Sequence, residues 1–116
     1  AKVDLSSQHM KVYVDGKYKY TWPVSTGKAG HRTPTGTYTV YRMSKHHKSR
    51  KYNNAPMPNS LFFRGGYAVH GTYSYKSLGR WPASKGCVRL SPKNSRILYN
   101  LAATHGKSNT RIQIQR

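Results

Sequence analysis

The only thiol of the 116-residue chain lies in residues 84–90, SKGCVRL. Cys87 follows Gly86, with Lys85 two positions before it and Arg89 two positions after. A lone cysteine is more often a small buried hydrophobe than a reagent. Three local features argue for a reagent here. Gly86 permits unusual backbone angles and close approach. Lys85 and Arg89 bring positive charge, which favours thiolate over thiol. Ser91 and Pro92 supply a helix cap and first turn, so the segment reads as a loop meeting a helix start. A nucleophilic thiol needs a base. Among the six histidines, His70 is the best placed, closing the apolar run YAVH ahead of Gly71. His46 and His47 fall in a cationic stretch, His105 in the last helical turn, and His9 near a strand start.

The composition removes most competing chemistries. Lys and Arg number 21 against 2 Asp and Glu, a formal charge of +19. The two carboxylate side chains are Asp4 and Asp15, and Asp15 precedes Gly16 in a hairpin-turn dipeptide. Paired-carboxylate hydrolysis and a carboxylate-rich metal site are therefore excluded. Six histidines and one cysteine match no zinc-ligand spacing, so no metal and no cofactor are expected. A charge of +19 draws the chain to anionic surfaces, whether nucleic acid, acidic lipid or an anionic polymer. One reading is thus a basic nucleic-acid-binding β domain, with tyrosines for stacking and KHHKSRK (45–51) as its densest patch.

These residues need a scaffold, and the hydropathy pattern supplies one. KVDL (2–5) reads as a short strand, and MKVYV (10–14) with YKYTWPV (18–24) as a hairpin around DGK. STGKAGHRTPTG (25–36) reads as a loop and TYTVYRM (37–43) as one strand. Residues 44–59, polar and broken by two prolines, read as a long loop. SLFFRGGYAVHG (60–71) gives two strands about Gly65 and Gly66, and residues 72–84 a further loop. SPKNSRILYNLAATHG (91–106) is the one helix, with Ile97, Leu98, Leu101 and Ala102 on one face. TRIQIQ (110–115) is the last strand. The length and pattern predict one domain over 1–116, mainly β, a β-rich α+β fold. No run reaches the roughly 18 apolar residues of a membrane helix. The start at Ala1 rather than Met suits a trimmed or excised domain.

VHGT (69–72) followed by SKGCVRL resembles the signature of the L,D-transpeptidase catalytic domain, the YkuD family. The match extends to the opening hairpin with PVSTG (23–27) and to TPTGTYTVYRM (33–43). The resemblance implies a YkuD-like mixed β-sandwich with one helix in the C-terminal half. It implies a peptidoglycan L,D-transpeptidase, with Cys87 as nucleophile, His70 as base and the Gly71 carbonyl fixing the His70 tautomer. Backbone N–H groups of Gly86 and Cys87 would stabilise the oxyanion. Arg89, Lys85 and Ser84 would contact the donor stem, Met57, Phe62 and Phe63 would line its groove, and Trp81 would belong to a flap. Lys85 replaces the family's usual histidine before Gly-Cys, and would act as a permanent cation beside the thiolate. The implied partners are peptidoglycan stem peptides and anionic wall polymers, with no nucleic acid and no membrane span, for a monomer that is periplasmic, wall-associated or secreted in a bacterium. The same acyl-enzyme would serve an L,D-carboxypeptidase or a wall-damaging toxin.

Overall fold

The computed structural model describes residues 1–49 and 55–116. Among the described residues nine strands form two sheets, with one α-helix. The first sheet grows from the predicted hairpin. Strands β2 (His9–Val14) and β3 (Lys17–Pro23) join through Asp15 and Gly16, at φ 52° and 78°. Two positive φ values are what a tight hairpin turn requires, and the Asp-Gly pair meets that need. Strand β1 (Lys2–Asp4) pairs antiparallel with β2 and parallel with β9 (Arg111–Gln115), and β4 (Gly36–Thr39) closes the far edge against β9. The order is β3-β2-β1-β9-β4.

The second sheet has the order β5-β6-β7-β8, from β5 (Arg42–Ser49), β6 (Ala55–Arg64), β7 (Tyr67–Gly71) and β8 (Val88–Leu90). Its first three strands are antiparallel; β7 and β8 are parallel, joined by the 72–87 crossover. Helix α1 (Pro92–His105) packs on β6, β7 and β8. Ser91 caps it, accepting the Asn94 N–H at 3.1 Å, and Pro92 takes the first turn, where its missing N–H costs nothing. Inward residues of both sheets (Val3, Met10, Val12, Leu61, Phe63, Val69, Val88, Ile112 and Ile114) join Leu98 and Ala102 of α1 in one core.

Two expectations change. The run 37–43 is not one strand. β4 ends at Thr39 and β5 begins at Arg42 in the other sheet. Between them Val40 donates its N–H to Thr110 O and Tyr41 to Phe62 O, each at 3.0 Å, so the chain passes from one sheet to the other without a break in hydrogen bonding. Alternation is the same on both sides of such a handover and cannot reveal it. The expected loop 44–59 is also largely strand. His46 pairs with Pro58, His47 with Met57 and Lys48 with Pro56. β7 pairs β6 only from Leu61 onward, so Pro56 and Pro58 sit where one side of β6 has no strand neighbour. Residues 50–54 of that loop, with Arg50 and Lys51 of the basic patch, lie outside the described residues.

Candidate active site

The parallel pairing of β7 and β8 sets the site. Val69 pairs with Val88, His70 with Arg89 and Gly71 with Leu90. Side chains alternate across a sheet. Val69, Val88 and Leu90 therefore point into the main core, fully or almost fully buried. His70 and Arg89 take the other face. Cys87, one residue before β8, lies level with Ala68 and packs with Met57, Phe62 and Ala68 in a second small cluster. β8 itself has no sequence signal, because three residues are too few for a period to show.

The Cys87 segment is held from below by residues 25–28. Ser25 and Arg89 exchange backbone hydrogen bonds at 3.1 and 2.8 Å. Ala83 and Ser84 donate their N–H groups to Thr26 O at 3.1 and 3.0 Å, and Lys28 donates to Ser84 O at 2.9 Å. Gln8, buried on the adjoining strand connection, fixes Thr26 in turn: its Oε1 accepts the Thr26 N–H at 3.0 Å and its Nε2 donates to Thr26 Oγ1 at 2.8 Å. Thr33 completes the frame, accepting the Gly27 N–H at 2.9 Å and donating to Gly86 O at 2.7 Å. The PVSTG and TPTG stretches thus position Cys87 through backbone groups that are buried and paired.

Gly86 has two independent reasons to be glycine. Its φ is +129°, and a Cβ there would stand 2.3 Å from Tyr67 Cε1. The Tyr67 ring closes over the turn that presents the thiol. Ser84 holds the same turn, accepting the Gly86 N–H at 3.1 Å and donating to Cys87 O at 2.6 Å.

His70 is 6% exposed, and its Nδ1 lies 2.6 Å from Gly71 O. A carbonyl only accepts, so Nδ1 carries the proton and Nε2 presents a lone pair. Burial pushes the imidazole from 6.5 down to about 4; the Gly71 bond opposes this, and the positive charges of Arg89 and His47 add to it. Burial also raises the Cys87 thiol, against a backbone hydrogen bond from Ala68 and the Arg89 charge, which lower it. The thiol lies 3.8 Å from Gly66 O, within the range of a weak S–H donor. The resting pair at neutral pH is therefore thiol and imidazole, both uncharged. The expected activation of the thiolate by adjacent cations is overridden, because desolvation of the charged form outweighs it. The Arg89 guanidinium supplies positive charge that acts on the sulfur.

Both groups open on one cleft of about 980 Å³. Met57, Phe62, Ser84, Lys85 and Arg89 line it with them. Phe63, expected in the groove, and Trp81, expected in a flap, do not line it. Phe63 faces the main core, since it neighbours Phe62 on a strand and must point to the opposite side. Trp81 is 48% exposed outside the cleft, its carbonyl accepting the Ser25 hydroxyl at 2.9 Å. The Gly86 N–H, expected as an oxyanion donor, is occupied by Ser84 Oγ. Sequence reasoning missed Tyr67, Thr33, Gln8 and Arg42. Only Thr33 carried a local signal, through TPTG; the others act across distances that no short motif records. Among the described residues no cluster of three metal-ligating side chains occurs.

The family model described as YkuD, L,D-transpeptidase catalytic domain, matches residues 1–114, and the chain belongs to that family. It is 24% identical over 118 residues to YkuD of Bacillus subtilis, covering 98% of this chain and 64% of that protein. A solved L,D-transpeptidase from Stackebrandtia nassauensis superposes with a TM-score of 0.85 at 31% identity, over 99% of this chain and 54% of the other. One from Mycobacterium smegmatis superposes with a TM-score of 0.85 at 25% identity, over 99% and 57%. The chain thus spans a little over half the length of those solved chains and just under two thirds of YkuD.

Proposed function

We propose that this domain is a peptidoglycan L,D-transpeptidase acting through a Cys87 thioester. The observation that carries this reading is the placing of a tautomer-fixed His70 on β7 and the single thiol at the start of the neighbouring parallel strand β8, facing one cleft. Cys87 Sγ attacks the carbonyl of the L-centre to D-centre bond of a tetrapeptide stem, and its proton passes to His70 Nε2. The C–N bond then breaks, the leaving D-alanine amine takes that proton, and the thioester remains. An acceptor amine attacks the thioester, gives a proton to Nε2, and the sulfur recovers it as the new amide forms.

A neutral starting pair suits this sequence. The thiol is deprotonated only as it attacks, so no buried thiolate has to be sustained beforehand. A base lowered to about 4 is also unprotonated across the physiological range. With the Gly86 N–H engaged, the Cys87 N–H is the oxyanion donor in this reading. Arg89 and Lys85 meet the stem's carboxylates, and the +19 charge favours residence among anionic wall polymers. Such a substrate places the domain in the periplasm, on the wall or outside the cell. Among the described residues no helix is long and apolar enough to cross a membrane. The test is mass analysis of muropeptides after incubation with the purified protein and with Cys87→Ala. New cross-links that need Cys87 support transpeptidation. Loss of D-alanine without cross-links would make it an L,D-carboxypeptidase, and an unchanged profile would refute both.

A further inference from the structure

The cleft extends well beyond the thiol, and its far wall carries a second arginine. Arg42 pairs in register with Phe62, and Phe62 with Ala68, which lies level with Cys87. Arg42, Phe62, Ala68 and Cys87 therefore form one row across the four strands. All but Ala68 line the cleft. The Arg42 guanidinium lies 5.1 Å from the centroid of the Phe62 ring, so it leans inward along the row. Phe62 is two strands from Cys87 and Arg42 three, and strands lie about 4.8 Å apart, so the backbone of Phe62 stands about 10 Å from that of Cys87 and the backbone of Arg42 one strand further. His47 meets the same ring from its edge, with centroids 5.0 Å apart. The guanidinium is thus held on a buried aromatic face, a setting that orients its planar fork.

Neither carboxylate side chain of the chain lines this cleft: Asp4 bonds to Ser6, and Asp15 turns the β2–β3 hairpin. The cleft offers cations at both ends and no internal anion. A bound donor has its leaving residue's carboxylate roughly 3.5 Å along the chain from the scissile carbonyl, too near to reach Arg42. An anion at Arg42 must come from the part that becomes the acyl group.

We propose that Arg42 reads a free carboxylate on the acyl portion of the donor peptide, so that the domain prefers donors with that carboxylate free over the same peptides with it amidated. This rests on the transpeptidase reading of the cleft. An amide presents one acceptor oxygen and a donor NH2 where the fork needs two acceptor oxygens, so amidation both removes the charge and turns a donor toward a donor.

The probes are synthetic tetrapeptide donors with acyl-side carboxylates free, and the same peptides with each carboxylate amidated in turn. Binding is measured by calorimetry on Cys87→Ala, with and without R42Q or R42K, and acylation by intact mass on the protein that keeps its thiol. The expected preference for one free carboxylate is about tenfold or more in Kd and in acylation rate. R42Q should bring that ratio close to one, and R42K should leave an intermediate value, since lysine supplies charge without the fork. A ratio near one in the native cleft, or one that R42Q leaves unchanged, overturns the proposal. If no donor acylates the native thiol, the transpeptidase reading fails; the calorimetric ratio on Cys87→Ala still decides the role of Arg42.

Discussion

The buried imidazole should show itself in the acid stability of the whole domain. His70 is lowered from 6.5 to about 4 in the folded chain, mainly by burial. The unfolded chain regains the ordinary value near 6.5. Between these two values the unfolded state binds a proton that the folded state refuses, so stability rises with pH across that window and falls as pH is lowered through it. Below about 4 the group contributes no further change. The gap is roughly 2.5 units at about 1.4 kcal/mol each, so the full loss is about 3 kcal/mol. That is a sizeable part of the total stability of about 5–15 kcal/mol expected for a small domain. The perturbation is His70→Asn, whose amide nitrogen retains a donor toward Gly71 O but does not titrate. Urea unfolding of both proteins from pH 7.5 to 4 gives two stability curves. Asp4, held low by Ser6, is the same in both proteins and cancels in the difference. The native protein should lose about 3 kcal/mol more than His70→Asn between pH 6.5 and 4. Parallel curves would show that the folded protein accepts a proton on His70 at no cost, and would refute the account of a permanently neutral base.

Two further outcomes follow from the same geometry. Gly86→Ala should cost about 2 kcal/mol or more in chemical denaturation, and Tyr67→Ala in the same chain should restore only part, since it clears the 2.3 Å clash but not the φ of +129°; a Gly86→Ala protein within about 0.5 kcal/mol of native would contradict both reasons for glycine. In iodoacetamide alkylation followed against pH, Arg89→Met should raise the apparent pKa of Cys87 above its native value, and Lys85→Met should move it less; the reverse order would return the thiol's electrostatics to Lys85.

Much of the scaffold was legible because it is written locally. Asp15-Gly16 between alternating strands meets the dihedral demand of a tight turn, and Ser91-Pro92 ahead of the Leu98 and Ala102 stripe meets that of a capped helix. Such signals depend on a residue and its near neighbours. The strand exchange at Val40 was not legible, because the same alternation serves either sheet and only the partners, Thr110 and Phe62, distinguish them. The prolines at 56 and 58 misled for a related reason: they exclude a strand flanked on both sides, not one with an open side.

For the site, the sequence by itself determined which groups are available. One thiol, a histidine closing an apolar strand, and two carboxylates placed elsewhere leave little chemistry except a cysteine nucleophile and an imidazole base. Tertiary structure decided their state. Arg89 acts on the sulfur because strand pairing with His70 sets it on the cleft face. Burial then makes both Cys87 and His70 neutral, against what the flanking cations alone would dictate. Arg42, 45 positions from Cys87, joins its row only through two intervening strands. Charge and residue type are properties of the chain, whereas desolvation and proximity depend on what the rest of the fold removes from water and brings alongside.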